Sequence, residues 1–209
     1  MILEKEFKKL NNQLENLSTR KENEVARIYA VVLRDIRKQL SGIYSDYEQN
    51  GKLTWEVMTK YERLKKLEDD IRKRILVLDN EIKLLTYGHL KDVYQESYYT
   101  TAYLIEKESQ TKLAYSAVKA GVIEQAIQNN FTGLTLNERL QRRRNDLIIS
   151  MREQITRGLH NGDTYSQMVK RIKGELENDV VKARRVVRTE AHRIRESASY
   201  ESALHADKR

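Results

Sequence analysis

Two pairs of histidine and glutamate near the C-terminal end have the spacing of metal ligands. His192 and Glu196, and Glu201 and His205, are each four positions apart, so each pair would project from one face of a helix. Neither pair has a third ligand nearby in the sequence, and the His-Glu-x-x-His arrangement is absent. We therefore expect no metal site. A metal-dependent enzyme that uses His192 and Glu196 remains an alternative.

The sequence also lacks the common catalytic motifs. There is no cysteine, which excludes a thiolate nucleophile, a disulfide framework and a Cys-based zinc site. The glycine patterns of nucleophile elbows, phosphate-binding loops and dinucleotide-binding folds are missing. Carboxylate pairs such as Asp69 and Asp70 lie on heavily charged helix surfaces, where nothing suggests the burial that shifts a pKa. We expect a protein without enzymatic activity and without a cofactor.

Two groups of arginines have the charge and spacing to contact phosphates. One group is consecutive on a predicted helix, and the other occupies one side of the last predicted helix at intervals of four and seven. Such arginines bind double-stranded DNA without sequence specificity and with a strong dependence on salt. The alternative is a solvated cationic flank. The candidate DNA-binding residues are Arg142, Arg143, Arg144, Arg184, Arg188 and Arg195.

Glu190 occupies an unusual position in the same last helix. It falls three residues after Val187 and four before Ile194, which places it on the apolar stripe of that helix. A carboxylate turned into an interface must be paired with a cation. Arg193, at i+3, is the first candidate partner, and Arg143 or Arg144 from a neighbouring helix is the alternative. We interpret Glu190 and Arg193 as a structural latch between helices.

The elements that position these residues are helices. The chain of 209 residues has no proline, eight glycines and 33% charged residues, so long helices meet few breakers, and we predict an all-α fold. The first ten residues lack the apolar core of a signal peptide, and no run is long enough to cross a membrane. The formal charge of +8 is concentrated in residues 137 to 209, which favours polyanions or acidic protein surfaces as partners.

We predict that residues 1–131 form an elongated helical arm. An amphipathic helix over residues 2 to 49 precedes a turn at Asn50 and Gly51, and a second helix begins near Thr54 with an apolar period of seven that includes Tyr61 and Ile75. An antiparallel hairpin costs less entropy than an oligomeric coiled coil, so we favour the hairpin; an oligomer remains possible. Five tyrosines in residues 87 to 131 form either a docking face or a filled helix interface: Tyr94, Tyr98, Tyr99, Tyr103 and Tyr115.

We predict that residues 132–209 form a compact, basic helical domain. Thr135 with Glu138, and Thr164 with Gln167, have the spacing of capping boxes at helix starts. They predict helices over 136 to 160, 165 to 176 and about 179 to 206, with a turn at 160 to 163.

The order of motifs in this region resembles a known family. "GLHNGDTYSQM", then "VKRI", then "KARRVVRTEAHRIRESA" is similar to the head morphogenesis or minor head proteins of tailed phages, the Mu F-like group. In that family a Gly-x-Ser/Thr turn precedes a helix that carries Arg-Thr-Glu, here Gly162 to Thr164 and Ala183 to Glu190. The resemblance covers about residues 134 to 206.

The resemblance implies a structural protein of the virion, present in few copies and associated with the portal vertex. Its partners would be the portal protein, other head proteins and double-stranded DNA, with roles in head assembly and DNA delivery, in the virion and in the host cytoplasm during assembly. Members commonly continue into a small segment with Trp and Cys or His, so we expect this chain to be truncated at its C-terminal end. The alternative is a non-specific nucleic-acid-binding helical protein without a virion role.

Overall fold

The protein is all-α in a computed structural model that describes residues 2–112, 115, 117–129 and 133–207. Six α-helices follow one another in this part of the chain: α1 (Ile2–Tyr47), α2 (Trp55–Thr59), α3 (Arg63–Ser109), α4 (Ala120–Gln128), α5 (Leu136–His160) and α6 (Tyr165–Asp207). A 3₁₀ turn, Lys60–Glu62, joins α2 to α3. The same residues form two isolated β-bridges but no strand, so the predicted fold class is confirmed.

Helix ends lie where the local chemistry predicts them. The chain turns after α1 at Asn50 and Gly51, both with positive φ. Before α5, the Thr135 hydroxyl accepts from the Glu138 amide at 3.2 Å, and the Glu138 carboxylate accepts from the Thr135 amide at 2.7 Å. Thr164 and Gln167 repeat this exchange before α6. Both capping boxes are therefore formed, and each satisfies backbone donors that a helix start leaves open.

Two predicted boundaries are wrong. The predicted helices over 165 to 176 and 179 to 206 are one continuous α6, because the two residues left between them, Glu177 and Asn178, are neither glycine nor proline and a helix accommodates both at small cost. The helix predicted from Thr54 is interrupted, since Tyr61 and Glu62 have left-handed φ angles of 55° and 56°. Tyr61 was expected in the buried register but is 86% exposed.

The described residues pack into two units, each drawn from several helices. Unit 1 comprises Met1–Glu24, Leu84–Glu138 and Arg184–Arg209, and unit 2 comprises Val25–Lys83 and Arg139–Ala183. Each unit contains residues from before and after position 131, which is the domain boundary predicted from the sequence. The predicted division into an arm at 1–131 and a compact domain at 132–209 stays a prediction.

The long helices α1 and α3 pair in opposite directions within the units. In unit 2, Gln39 donates to Asp70 at 3.0 Å and Arg74 lies 3.6 Å from Asp35, so residues later in α1 meet residues earlier in α3. The core of this unit includes Ile36, Leu40, Ile71, Ile75, Leu78, Leu147, Met151 and Ile172. The antiparallel hairpin expected from the sequence is thus formed.

None of the helices in the described ranges has the length and apolar character that crossing a bilayer requires.

Candidate functional site

The turn between α5 and α6, in unit 2, contains the first motif of the phage resemblance. Gly162 has a φ of 62°, a conformation that favours glycine. The Asp163 carboxylate is buried and accepts a hydrogen bond from Arg171, while its carbonyl accepts one from the Tyr44 hydroxyl at 2.8 Å. A Cβ on Gly158 would lie 2.6 Å from Met168 Cε. These motif residues therefore hold the α5–α6 turn against α1.

The Glu190 carboxylate of α6, in unit 1, is buried against its expected partner. The side chain of Glu190 is 2% exposed, and Arg193 Nε donates to its Oε2 at 2.9 Å. Arg193 also donates to the carbonyls of Ala126 and Ile127, at 2.8 and 3.0 Å. Those carbonyls lie in the last turn of α4, where a helix lacks internal donors and favours a positive charge. Glu190 thus orients an arginine that caps the C-terminal end of α4.

The arginines expected to form a ridge on α6 bond to groups of unit 1. Arg188 holds both carboxylate oxygens of Glu22, at 2.8 and 2.6 Å. Arg184 donates to the Glu22 carbonyl at 3.1 Å, and Arg195 donates to Glu196 at 2.7 Å. Arg188 remains largely exposed, so it combines a structural bond with a surface charge. The predicted contact of Arg184, Arg188 and Arg195 with DNA stays a prediction.

The three consecutive arginines of α5 have three different environments. Arg142 is exposed. Arg144 is partly covered and lies 3.7 Å from Asp79. Arg143 is only 6% exposed, with its guanidinium directed at Asp79 and Asp179. The burial and neutralisation of Arg143 inside unit 2 argue against its predicted contact with nucleic acid, and the predicted contact of Arg142 and Arg144 stays a prediction.

Arg143 is the centre of a buried polar network that the sequence analysis missed. It donates to Asp79 at 2.8 Å and to both Asp179 and the Tyr29 hydroxyl, and Tyr29 in turn donates to Asp179. Burial raises the pKa of Tyr29 and of Asp179. Burial alone would lower the pKa of Arg143, but the neighbouring Tyr29, Asp179 and Asp79 together raise it. The network therefore keeps one guanidinium charged between two carboxyl groups.

The position of charged residues on the apolar faces of their helices would have indicated this network from the sequence. Arg143 lies three residues after Leu140 and four before Leu147, which puts it on the buried face of α5. Asp79 and Asp179 have the same relation to the apolar residues of their helices. This is the spacing that identified Glu190, and applying it to every charged residue would have marked the three ions.

The possible metal ligands remain separate. Among the described residues, no three His, Cys, Asp or Glu side chains are grouped as a metal ion would require. Glu196 forms an ion pair with Arg195, and His192 is exposed.

The tyrosines of residues 87 to 131 lie partly in the interior and partly on the surface. Tyr94 and Tyr98 are buried, and their rings are stacked with centroids 6.4 Å apart, whereas Tyr99 and Tyr103 are exposed.

His89, in unit 1, gives the protein an expected pH dependence. It is 1% exposed, and Ser18 Oγ lies 3.2 Å from its Nε2. Burial, with a smaller contribution from the Lys21 ammonium, lowers its pKa below the ordinary value. The unfolded chain therefore binds a proton at His89 more readily than the folded protein does.

We expect the free energy of unfolding to decrease as the pH falls below about 6.5, by up to about 1.4 kcal/mol for each unit by which the pKa is lowered. Urea denaturation at several pH values between 8 and 5 measures this change. His89→Gln should flatten the dependence, whereas His192→Gln, at an exposed histidine, should preserve it. Equal slopes in the two variants would contradict the assignment to His89.

Comparison with known proteins places these sites in a family context. The chain is 30% identical over 200 residues to the minor head protein GP7 of Bacillus phage SPP1, and the match covers 96% of this chain and 65% of that protein. The resemblance to the phage minor head proteins is confirmed. The motif residues quoted for the resemblance are held by bonds within the fold: Asp163 by Arg171, Arg188 by Glu22 and Glu190 by Arg193.

A second curated protein is also similar. The NAD(+)-arginine ADP-ribosyltransferase EFV of Enterococcus faecalis is 24% identical over 172 residues, covering 82% of this chain and 35% of that protein. The chain thus spans less than two thirds of the length of either relative. No model of a known protein family matches the chain, and no solved structure matches it.

Proposed function

We propose that the protein is a non-enzymatic structural component of a tailed-phage head. The observation that carries this proposal is the 30% identity with a phage minor head protein over nearly the whole of this chain. The charged motif residues support it, because each holds elements of the fold together: Asp163 bonds to Arg171, Arg188 bonds to Glu22 of α1, and Glu190 orients Arg193 against α4. Charged side chains used in this way are typical of a scaffold.

The family resemblance suggests a more specific role, at the portal vertex, which we include in the proposal. The protein associates with the portal vertex of the virion, assembles there in the host cytoplasm with the portal protein and other head proteins, and assists DNA delivery. Its exposed tyrosines, Tyr99 and Tyr103, offer the kind of aromatic side chain that protein interfaces favour.

Co-expression with the portal protein of the same phage tests this role. We expect the two proteins to co-purify and the protein to be found by mass spectrometry in purified virions at few copies. Co-purification that persists after Tyr99→Ala and Tyr103→Ala would assign the portal contact to another surface. Failure of both co-purification and virion incorporation would contradict the proposal.

The similarity to an ADP-ribosyltransferase raises an enzymatic alternative for this region. The matched residues correspond to 35% of that protein, so 65% of its length has no counterpart in the match. We therefore propose that the transferase activity of that protein lies in the part that does not match this chain. Incubation with labelled NAD⁺ and an arginine-rich acceptor should give no transfer of label, and a stoichiometric transfer would contradict a non-enzymatic role.

General nucleic-acid binding is the second candidate function, and the charge of +8 with a pI near 9.5 favours it. A gel shift with random duplex DNA at two salt concentrations separates it from the first. Of the six arginines expected at a DNA surface, Arg143 is buried and paired inside unit 2, so it offers no charge to such a surface. Tight, steeply salt-dependent binding together with no affinity for a portal protein would favour this second function.

A further inference from the structure

Unit 1 contains a half-open cavity of about 220 Å³ between α1, α3 and α6. Its apolar lining comes from Leu14, Val93 and Ala191, one from each helix. The volume is several times the roughly 30 Å³ that a water molecule occupies in the liquid, so it can hold a side chain.

The α6 wall of this cavity carries three groups that can bind an anion. They are Arg188, His192 and Arg195, spaced by four and three residues on one face of the helix. Arg188 uses its Nε and Nη2 to hold Glu22. Within the described ranges, no hydrogen bond or ion pair is formed by Nη1 of Arg188 or by the ring of His192. Both groups therefore retain donors that a ligand could use.

The opposite wall, from α1, carries carboxylates. Glu15 and Glu22 line it together with Ser18 and Thr19. These carboxylates repel any anion, but Glu22 is already neutralised by Arg188, and a duplex DNA backbone would bring many phosphates past them where a single carboxylate brings one charge. Duplex DNA also has no apolar stem to place against the cavity floor formed by Leu14, Val93 and Ala191. A single carboxylate on an aliphatic side chain has both the charge for the α6 wall and the apolar surface for the floor.

We propose that this cavity receives a glutamate or aspartate side chain of a protein partner. The partner's carboxylate bonds to Arg188 and His192, and its methylene groups contact Leu14 and Ala191. The inference rests on the proposed function in one respect: the partner is another protein of the phage head. It adds to that function the surface and the chemistry by which the partner is held.

The blocked tripeptide Ac-Ala-Glu-Ala-NH₂ probes the cavity in the full chain by NMR titration of backbone amides. We expect saturable shifts at Thr19, Ala191 and His192, with a dissociation constant on the order of 1 mM, as befits one ion-paired side chain. The matched peptide with glutamine in place of glutamate should bind at least about tenfold more weakly, a difference of about 1.4 kcal/mol.

Two charge reversals on the same helix test the location. His192→Glu should abolish the peptide-induced shifts, and Arg185→Glu, at an exposed residue outside the cavity lining, should leave them unchanged. Circular dichroism confirms that both variants fold. Equal effects of the two variants would show a general charge effect and overturn the proposal, as would equal shifts with inorganic phosphate or with a short DNA duplex.

The same variants separate this inference from the proposed function. If the portal or another head protein co-purifies with His192→Glu as well as with the wild type, the cavity proposal fails and the head role stands. If no head protein co-purifies with the wild type and the protein is absent from virions, but the peptide binds at the cavity, the binding chemistry of the cavity stands and the head role fails. Absence of peptide-induced shifts in the wild type overturns the cavity proposal directly.

Discussion

Arg143→Ala is expected to lower the free energy of unfolding by about 3 to 5 kcal/mol, the range for removing one member of a buried ion pair. Asp79 and Asp179, which are 5% and 4% exposed, would lose the guanidinium between them. The Tyr29 hydroxyl would lose a donor as well. Chemical denaturation of the wild type and the variant measures the difference.

The neighbouring arginine supplies a matched control. Arg142→Ala removes the same charge from the adjacent, exposed position and should change stability by no more than about 0.5 kcal/mol. Replacing the ions together, by Asp79→Leu, Arg143→Met and Asp179→Leu, should cost less than Arg143→Ala alone, because no buried charge is left without a partner. Similar small losses in Arg142→Ala and Arg143→Ala would show that the network contributes little.

The Arg143→Ala variant should also respond to pH in a defined direction. Burial already raises the pKa of Asp179, and removing the cation would raise it further. A carboxyl group whose pKa is higher in the folded state than in the unfolded state stabilises the fold as the pH falls. The stability deficit of the variant should therefore shrink between pH 8 and pH 5. A deficit that grows over this range would show that the two carboxyl groups are not the source of the loss.

Glu190→Ala is expected to lower the free energy of unfolding by about 2 to 4 kcal/mol. The carboxylate is buried and orients Arg193, whose guanidinium caps α4 at Ala126 and Ile127. The loss should therefore be local as well as global. Hydrogen exchange of the α4 amides should accelerate more than that of α5, and denaturation should report the total change.

An exposed glutamate of the same helix is the control for this experiment. The side chain of Glu196 is 72% exposed, so Glu196→Ala should be nearly neutral even though Arg195 contacts it. Arg193→Ala should reproduce the faster exchange of α4, since it removes the cap itself. A change below about 0.5 kcal/mol in Glu190→Ala would mean that the carboxylate is effectively solvated, and the latch interpretation would then be abandoned.

The motifs that identify the family therefore serve the fold at two places. In unit 2, Asp163 ties the α5–α6 turn to Arg171 and Tyr44. In unit 1, Glu190 orients Arg193, which joins α6 to α4, and Arg188 joins α6 to α1. We expect such bonds to specify which helices meet more than they add net stability, because desolvation offsets much of the attraction where the ions are buried, as at Glu190.

Local chemistry in the sequence was sufficient for the helices and for many of their ends. The absence of proline, the turn at Asn50 and Gly51, and the two capping boxes depend on neighbours within about four residues, so they can be read without a fold. The same is true of Glu190, whose position between Val187 and Ile194 indicated burial before any partner was known. The continuity of α6 between residues 176 and 179 was not predicted in this way, because no local signal at Glu177 and Asn178 decides between one long helix and two shorter ones, and packing along the helix does.

The amino-acid sequence by itself determined the all-α class and the inward position of Glu190, since both follow from composition, periodicity and short-range bonds. It favoured an antiparallel pairing of α1 with α3 over an oligomeric coiled coil, and the contacts between the two helices established that pairing. Periodicity places Arg143 on the buried face of α5, but only the tertiary structure decided which groups neutralise its charge. Arg143 meets Asp79, Asp179 and Tyr29 from three other helical segments, up to 114 residues away. The energy of a buried charge depends on those distant partners, which no local pattern specifies.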